Sequence, residues 1–407
     1  VDFSVSSKNK FMKLYRNLCE AVVKGLDQIF IQNKYADKVI EKILKENPKW
    51  GARDRKFIAE TIYDIVRWHR LFTAVSRGAE RDFWQLIGVW CVWNEFSLPP
   101  WPEFRNVDKN QINIRYEEIQ QDRKIRESIP DWLDELGEKE LGEKWERELH
   151  ALNEEARVVI RVNTLKTKRS QLQAELADEE IFTTAPKEFP DALLLEQRQN
   201  IFTRQQFKDG LFEVQDAGSQ LIAPYLRVEP GQRVIDACAG GGGKTLHLAA
   251  LMQNKGRIIA MDTEAWKLEE LKKRARRAGA GNIETRVIES SKTIKRLENS
   301  ADRLLLDVPC SGLGVVKRNP DAKWKLSMDF MENIKLLQQK ILHDYSIMVK
   351  PGGFMVYSTC SLFPSENEKQ VELFLKEKKD SFQLIEQRSV LPSEGFDGFY
   401  MALLKRI

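Results

Sequence analysis

The sequence predicts a mixed α/β protein, with a doubly wound parallel sheet in its C-terminal part, a small α+β module before it and an all-helical N-terminal region. Three observations support this class. From Gly231 onward, short apolar runs alternate with amphipathic helical stretches, the rhythm of strands and crossover helices. The first of those runs leads into four consecutive glycines and then a helical stretch. Before His150, apolar residues recur instead at helical spacing.

At 407 residues the chain has room for two or three domains, taking roughly 150 residues per domain. We divide it into residues 1–127, 128–230 and 231–407. The first part reads as helices from about Lys8. The clearest spans Ala52 to Val75, with Phe57, Ile58, Ile62, Ile65 and Val66 on one face. Trp84, Trp90 and Trp93 follow in an apolar segment that ends at Leu98-Pro-Pro-Trp-Pro102, and they are expected to pack in a core. Asn106 to Arg126 is polar, as a solvated helix or linker would be.

In the second part, Val158 to Val162 reads as a strand, Ser170 to Ala177 as a helix and Leu193 to Leu195 as a strand. In the third, strands are expected at Arg233 to Ala237, Arg257 to Met261, Ile283 to Ile288, Arg303 to Leu306 and Phe354 to Tyr357, with helices between them.

Composition excludes several classes. Hydrophobic residues at 42% and charged residues at 31% describe an ordinary soluble protein, and no run approaches the ~20 apolar residues of a membrane span. The N-terminal VDFSVSSKNKF has no basic region, apolar stretch and small-residue cleavage site in series, so a cytoplasmic location is expected. Five cysteines form no CxxC pair and no ligand spacing with the four histidines, so neither a disulfide framework nor a metal site is expected. The net charge of +4, from 65 basic and 61 acidic residues, permits a nucleic-acid partner without demanding one. Nothing in the sequence requires more than a monomer.

In an open parallel sheet, ligands bind outside the carboxyl ends of the strands. Here those ends are polar. They read Asp236-Ala-Cys-Ala-Gly-Gly-Gly-Gly-Lys-Thr245, Asp262, Glu289, Asp307-Val-Pro-Cys310 and Ser358-Thr-Cys360. Glycines at 240 to 243 remove every Cβ from a strand-to-helix turn and let a ligand press against the backbone amides.

Gly243-Lys-Thr245 with Leu304-Leu-Leu-Asp307 invites a nucleotide-triphosphatase reading. The phosphate-loop pattern, however, needs another glycine with four residues between it and Gly243, where Cys238 stands. The dinucleotide pattern fails too, because Gly240 and Gly242 are followed by Thr245 where its third glycine belongs. Asp262, at the end of the second strand, is suited to accept hydrogen bonds from two ribose hydroxyls. An adenosine cofactor without a pyrophosphate fits, and S-adenosylmethionine is the common one.

Cys310 and Cys360 leave two strands at the same end of the sheet, each in a small polar context. Either alone would read as a core thiol; together they read as a reactive site. Carbon 5 of cytosine is a poor nucleophile, and a thiolate adding to carbon 6 activates it. A free thiol, with a pKa of about 8.5, is little ionised at neutral pH, so the site must favour the thiolate. Lys244 is placed to help.

At these residues the sequence resembles the bacterial ribosomal-RNA cytosine-5 methyltransferases of the Fmu/Sun group. The loop from Asp236 to Thr245 resembles the family's D-x-C-A-A-P-G-G-K-T. Asp307-Val-Pro-Cys-Ser-Gly-Leu-Gly314 and Lys317-Arg-Asn-Pro-Asp-Ala-Lys-Trp324 resemble D-x-P-C-S-G-x-G and R-R-x-P-D-x-K-W. Tyr357-Ser-Thr-Cys-Ser361, Glu366-Asn-Glu368, Phe212-Glu-Val-Gln-Asp216, Arg161-Val-Asn-Thr164 and Asp397-Gly-Phe399 also fit, so the likeness runs from about Ile129 to the C-terminus.

The resemblance implies a Rossmann-like S-adenosylmethionine methyltransferase sheet acting on RNA, most simply ribosomal RNA. It implies that Cys360 attacks carbon 6 and that Cys310 assists proton removal and release of the product. Asp307 would lie at cofactor and base, Asp262 at the ribose and Glu289 near the adenine. Cys238, Ala239, Gly240, Gly241, Gly242, Gly243 and Lys244 would surround the methionine part, with Lys244 also touching the cytosine.

Two departures stand out. Gly240-Gly241 replaces the family's Ala-Pro, which should loosen the loop, and Glu289 replaces an Asp. By the same resemblance the N-terminal helices occupy the place of a NusB-like RNA-binding domain. A transfer-RNA substrate, or a catalytically silent assembly factor of the same fold, stays open beside the ribosomal reading. The basic stretch Lys267 to Arg277 is expected to be a solvated helix face rather than an RNA track.

Overall fold

The computed structural model describes residues 13–77 and 80–407; the expected helical start at Lys8 lies outside the described residues. Two compact units form. One runs to Asn153 and also takes in Val316–Leu326; the other comprises Glu154–Val315 and Ser327–Ile407.

In the first unit, helices Arg16–Phe30, Ala36–Glu46, Ala52–Arg67, His69–Val75 and Phe83–Trp93 share a core of Leu18, Val22, Leu26, Ile43, Ile62 and their neighbours. Phe57, Ile58, Ile62, Ile65 and Val66 are all buried. The single helix expected over 52–75 is two, because the backbone turns at Trp68 (φ −104°, ψ 21°). Ser128 Oγ accepts the amide of Arg70 at 3.0 Å in the new first turn, a tertiary cap that helical periodicity does not reveal. Trp90 is buried edge-on to Phe57 and donates to Asp64 at 2.9 Å; Trp84 and Trp93 pack against the same core.

The polar stretch forms helices Lys109–Ile119 and Arg123–Arg126. Arg123 is not idle surface there, since it clamps the buried carboxylate of Asp134 through two bonds of 3.0 and 2.9 Å. Asp134 also accepts from Trp145 Nε1 at 2.8 Å, and the indole lies flat against Gly137, where a Cβ would meet ring atoms at 2.2 Å.

Val316–Leu326 completes this unit. Asp321 accepts the amide of Ala36 at 3.0 Å in the first turn of Ala36–Glu46. Trp324 Nε1 donates to the carbonyl of Val66 at 2.7 Å, in the last turn of its helix. Arg67 donates to the carbonyl of Lys317 at 2.9 Å. Lys323 is 2% exposed and bonds Asn153 at 3.2 Å. Burial first, then the charge of Arg67, pushes its amine well below the usual lysine range.

The second unit holds two sheets. The smaller contains β1 (Val159–Val162), β2 (Thr183–Thr184), β3 (Ala192–Leu195) and β4 (Phe212–Val214), antiparallel in the order β2-β3-β1-β4, with helix Arg169–Asp178 packed on it. The larger contains β5 (Arg233–Asp236), β6 (Arg257–Asp262), β7 (Ile283–Val287), β8 (Ala301–Asp307), β9 (Val349–Thr359), β10 (Phe382–Val390) and β11 (Phe399–Arg406).

Its order is β10-β11-β9-β8-β5-β6-β7, parallel from β9 to β7 and antiparallel where β11 joins β9 and β10. The five expected strands are present within a few residues, and β10 and β11 are additional. Val234, Ile235, Leu304, Leu305, Leu306, Met355 and Val356 are fully buried, as strands covered on both faces must be. The chain runs from β5 to β6 on one side and later to β8 on the other, so order reverses beside the end of β5. Among the described residues no helix is long and apolar enough to cross a membrane.

Candidate active site

The turn after β5 carries Cys238, Ala239, Gly240, Gly241 and Gly242, and Gly243 and Lys244 open helix Gly243–Leu251. Gly240 and Gly242 have φ of 53° and 86°, left-handed values that favour glycine, and a Cβ at Gly242 would strike Leu271 at 2.5 Å. A Cβ built on Gly240 or Gly243 meets no atom within 4 Å, so the space along this backbone is open.

Asp262 ends β6. One of its oxygens accepts the amide of Gly240 and the other that of Glu264, both at 2.9 Å. Each oxygen keeps a second lone pair for a ribose hydroxyl. An open glycine turn beside a carboxylate held in this way fits S-adenosylmethionine. Glu289 lies two residues beyond β7 with its side chain exposed, and no hydrogen bond joins it to the other candidates among the described residues.

Asp307 ends β8, one strand over from the glycine turn. Lys244 Nζ lies 2.6 Å from one of its oxygens, and Ser358 Oγ donates to the other at 2.9 Å. Burial by itself would lower the Lys244 amine, but the Asp307 carboxylate, then Cys360 and Asp236, raise it. Lys244 is therefore a fixed positive charge at neutral pH. Asp236 is fully buried and accepts from Thr245 at 2.7 Å; burial pushes its carboxyl up to about 7. Burial, then Asp236, Asp307 and Asp262, pushes the Cys238 thiol well up, which keeps it protonated.

Cys310 lies three residues beyond β8 and Cys360 one residue beyond β9. Their sulfurs are 3.2 Å apart, and the amide of Cys360 donates to Cys310 Sγ at 3.3 Å. Gly314 allows the approach: a Cβ there would meet the carbonyl oxygens of Gly398 at 2.2 Å and Cys360 at 2.9 Å, and its own amide donates to Cys360 O at 2.8 Å. The hydrogen bond with Cys360, then burial and the charges of Cys360 and Glu366, pushes the Cys310 thiol well above its ordinary value.

Sequence reasoning missed the residues behind these groups. Ser358, on Asp307, is a neighbour of Cys360 in a quoted motif, so its place was legible although its role was not. Arg161 and Arg274 brace the glycine loop from outside. Arg161, 2% exposed, donates to the carbonyl of Gly243, and Arg274 to that of Gly241 at 2.7 Å. Glu213, also buried, accepts from Arg274 at 3.0 Å and Arg277 at 2.6 Å. Two residues of the basic stretch are thus structural. Lys272 and Lys273 pair with Glu269 and Glu270 at the surface, as a solvated face would.

A seven-stranded sheet of this order, with an open glycine turn and a carboxylate at the end of the neighbouring strand, defines a Rossmann-like methyltransferase of the S-adenosylmethionine-dependent class. Within that class the chain belongs to the RsmB/F family of 16S rRNA methyltransferases. The family described as 16S rRNA methyltransferase RsmB/F matches residues 223–405, and the RsmF/B-like ferredoxin-like domain matches residues 129–202.

A probable ribosomal RNA small subunit methyltransferase B from Synechocystis sp. is 39% identical, covering 86% of each chain. A ribosomal RNA small subunit methyltransferase B from Vibrio cholerae is 33% identical over 74% of this chain and 70% of its own. The crystal structure of PH0851 shares the fold, with a TM-score of 0.81 at 24% identity over 97% of this chain and 99% of that one.

Proposed function

We propose that this chain transfers a methyl group to carbon 5 of a cytosine in 16S ribosomal RNA through a covalent bond between Cys360 and carbon 6 of the base. The observation that carries this reading is the thiol pair itself, two sulfurs 3.2 Å apart at adjacent strand ends, beside the Lys244–Asp307 ion pair. S-adenosylmethionine supplies an electrophilic methyl group when bound. Cys238 to Lys244 and Asp262 would hold its methionine and ribose parts, with Glu289 near the adenine.

The chain's own residues do the rest. The Cys360 thiolate gives its electron pair to carbon 6, so carbon 5 gains electron density and takes the methyl group. Lys244 and Asp307 would hold the cytosine ring and balance the charge that builds on it. Loss of the proton from carbon 5 to Cys310 then restores the ring double bond as the Cys360–carbon 6 bond breaks and its electrons return to sulfur. Bond formation at Cys360 uses up its negative charge and so removes one cause that opposes ionisation of Cys310, which gives its own proton to solvent before it takes the one from carbon 5.

Trapping experiments with RNA containing 5-fluorocytosine test this division of roles. Cys360→Ala is expected to abolish methylation and adduct, and Cys310→Ala to accumulate adduct with ordinary RNA. Equal residual turnover in both variants refutes the assignment. Mapping methylated cytosines in total RNA with and without the protein tests the ribosomal substrate against a transfer RNA. We read the helical unit as the NusB-like RNA-binding part.

A further inference from the structure

Each cysteine is flanked on both sides by residues tied to one buried cluster. On the Cys310 side, the Ser311 amide donates to Glu366 Oε2 at 2.8 Å and the Pro309 carbonyl accepts from Gln338 at 3.0 Å. Gln338 bonds the same Glu366 oxygen, also at 3.0 Å. On the Cys360 side, Ser361 Oγ donates to Glu366 Oε1, Thr359 Oγ1 donates to Asn367, and Asn367 Nδ2 donates to Ser361 O at 3.0 Å. Ser311 and Ser361 also bond each other at 3.2 Å. Tyr357 OH anchors the backbone of Glu366 itself, at 2.7 Å.

Glu366 is 0% exposed, and no cation pairs with it among the described residues. A buried carboxylate without a counter-ion is costly, and Glu366 is here held by three donors, one from each cysteine-bearing turn and Gln338 from the neighbouring helix. Stability alone would favour an apolar side chain in its place.

We infer that Glu366 is a positioning residue that holds the two cysteine-bearing turns at one separation and whose negative charge keeps Cys310 a thiol while Cys360 is the nucleophile. This rests on the proposed roles of the two cysteines. The ionisable groups that act on Cys310 are Cys360 at the end of β9, Tyr357 within β9 and Glu366 in the turn that follows. Helix Met328–Ser346 presents the uncharged Gln338 to this turn, and Lys244 and Asp307 are paired with each other. Burial, Cys360 and Glu366 all oppose ionisation of Cys310, and the amide of Gly312 favours it. The Lys244 amine is raised in part by Cys360, which places its charge within electrostatic reach of that sulfur.

The test is the pH dependence of iodoacetamide alkylation at Cys310, followed by mass spectrometry without RNA in the full-length Cys360→Ala protein. The expected midpoint lies above the ordinary thiol value of about 8.5. Adding Glu366→Gln should lower it by about one pH unit or more, while Glu366→Asp, which keeps the charge and shortens the reach, should leave it high. In proteins that retain Cys360, both substitutions should reduce the rate of adduct formation about tenfold or more.

A midpoint at or below about 8.5 with Glu366 intact overturns the inference, and that measurement needs no substitution at Glu366. An unchanged midpoint in a folded Glu366→Gln protein does so as well. If wild-type protein forms no adduct with fluorinated RNA, the proposed function fails, whereas the alkylation midpoint still reports on Glu366.

Discussion

Arg274 reaches from the third turn of its helix to the carbonyl of Gly241, 2.7 Å away. Gly241 stands where the resembling family carries proline, so the backbone freedom that proline would remove is restrained from outside by a guanidinium that Glu213 holds in turn. Arg274→Met should weaken binding of S-adenosylhomocysteine about tenfold, the effect of losing one charge-assisted hydrogen bond worth roughly 1.5 kcal/mol. Turnover at saturating cofactor should change less than about threefold, because the reacting groups are untouched. Titration calorimetry checks the first expectation, and unaltered affinity refutes it.

Lys244→Met addresses the ion pair with Asp307. Both side chains are mostly covered, at 15% and 25% exposure, so the carboxylate left behind is poorly solvated. A stability loss of about 2 kcal/mol is expected. Single-turnover methylation should fall on the order of 100-fold, more than stability explains. Turnover within threefold of the parent would remove Lys244 from the reacting centre.

Asp236→Asn should change how stability depends on pH. Burial raises the folded carboxyl to about 7 from an ordinary 3.8. Its contribution to stability is therefore full below about pH 4 and is lost as pH rises through 7, on the order of 4 kcal/mol in all. Asparagine still accepts from Thr245 and carries no charge. Melting curves at pH 5 and pH 8 should show the variant gaining on the parent as pH rises. A pH-independent difference contradicts the assignment.

Gly137→Ala probes the first unit. The added methyl would enter the Trp145 ring, which is fully buried and tied to Asp134. Overpacking of this kind costs about 1–3 kcal/mol and exceeds the small gain in helix propensity. Thermal denaturation should register a loss of about 2 kcal/mol, with Trp145 fluorescence shifted; a melt equal to the parent's would mean that the helix moves aside freely.

The parallel strands were legible because buried strands of this kind are short apolar runs, and those runs here end in Asp236, Asp262 and Asp307. β10 was not legible. Its interior residues, QLIEQRS, are all exposed and mostly polar, so neither a long apolar run nor a buried face marks it, and only its pairing with β11 makes it a strand. The thiols, the glycine turn and its acidic neighbour were visible as residue types at strand ends. The cluster around Glu366 was not, although the motif containing it was recognised, because its bonds join positions 309, 311, 338, 361 and 366 that only the fold brings together. Arg274 misled for a related reason. A basic residue on an amphipathic helix reads as surface until a buried Glu213 is placed opposite it.

The segment Val316–Leu326 gives the molecule a particular inheritance. Neither compact unit is encoded by one uninterrupted stretch of gene, since the helical unit borrows Asp321, Lys323 and Trp324 from the middle of the other half's reading frame. A cut after Asn153 would strip the amide of Ala36 and the carbonyl of Val66 of their partners. Recombination at that boundary would deliver a helical unit missing part of its own interior. An N-terminal unit expressed without this loop would lack Asp321, Lys323 and Trp324 from its own packing.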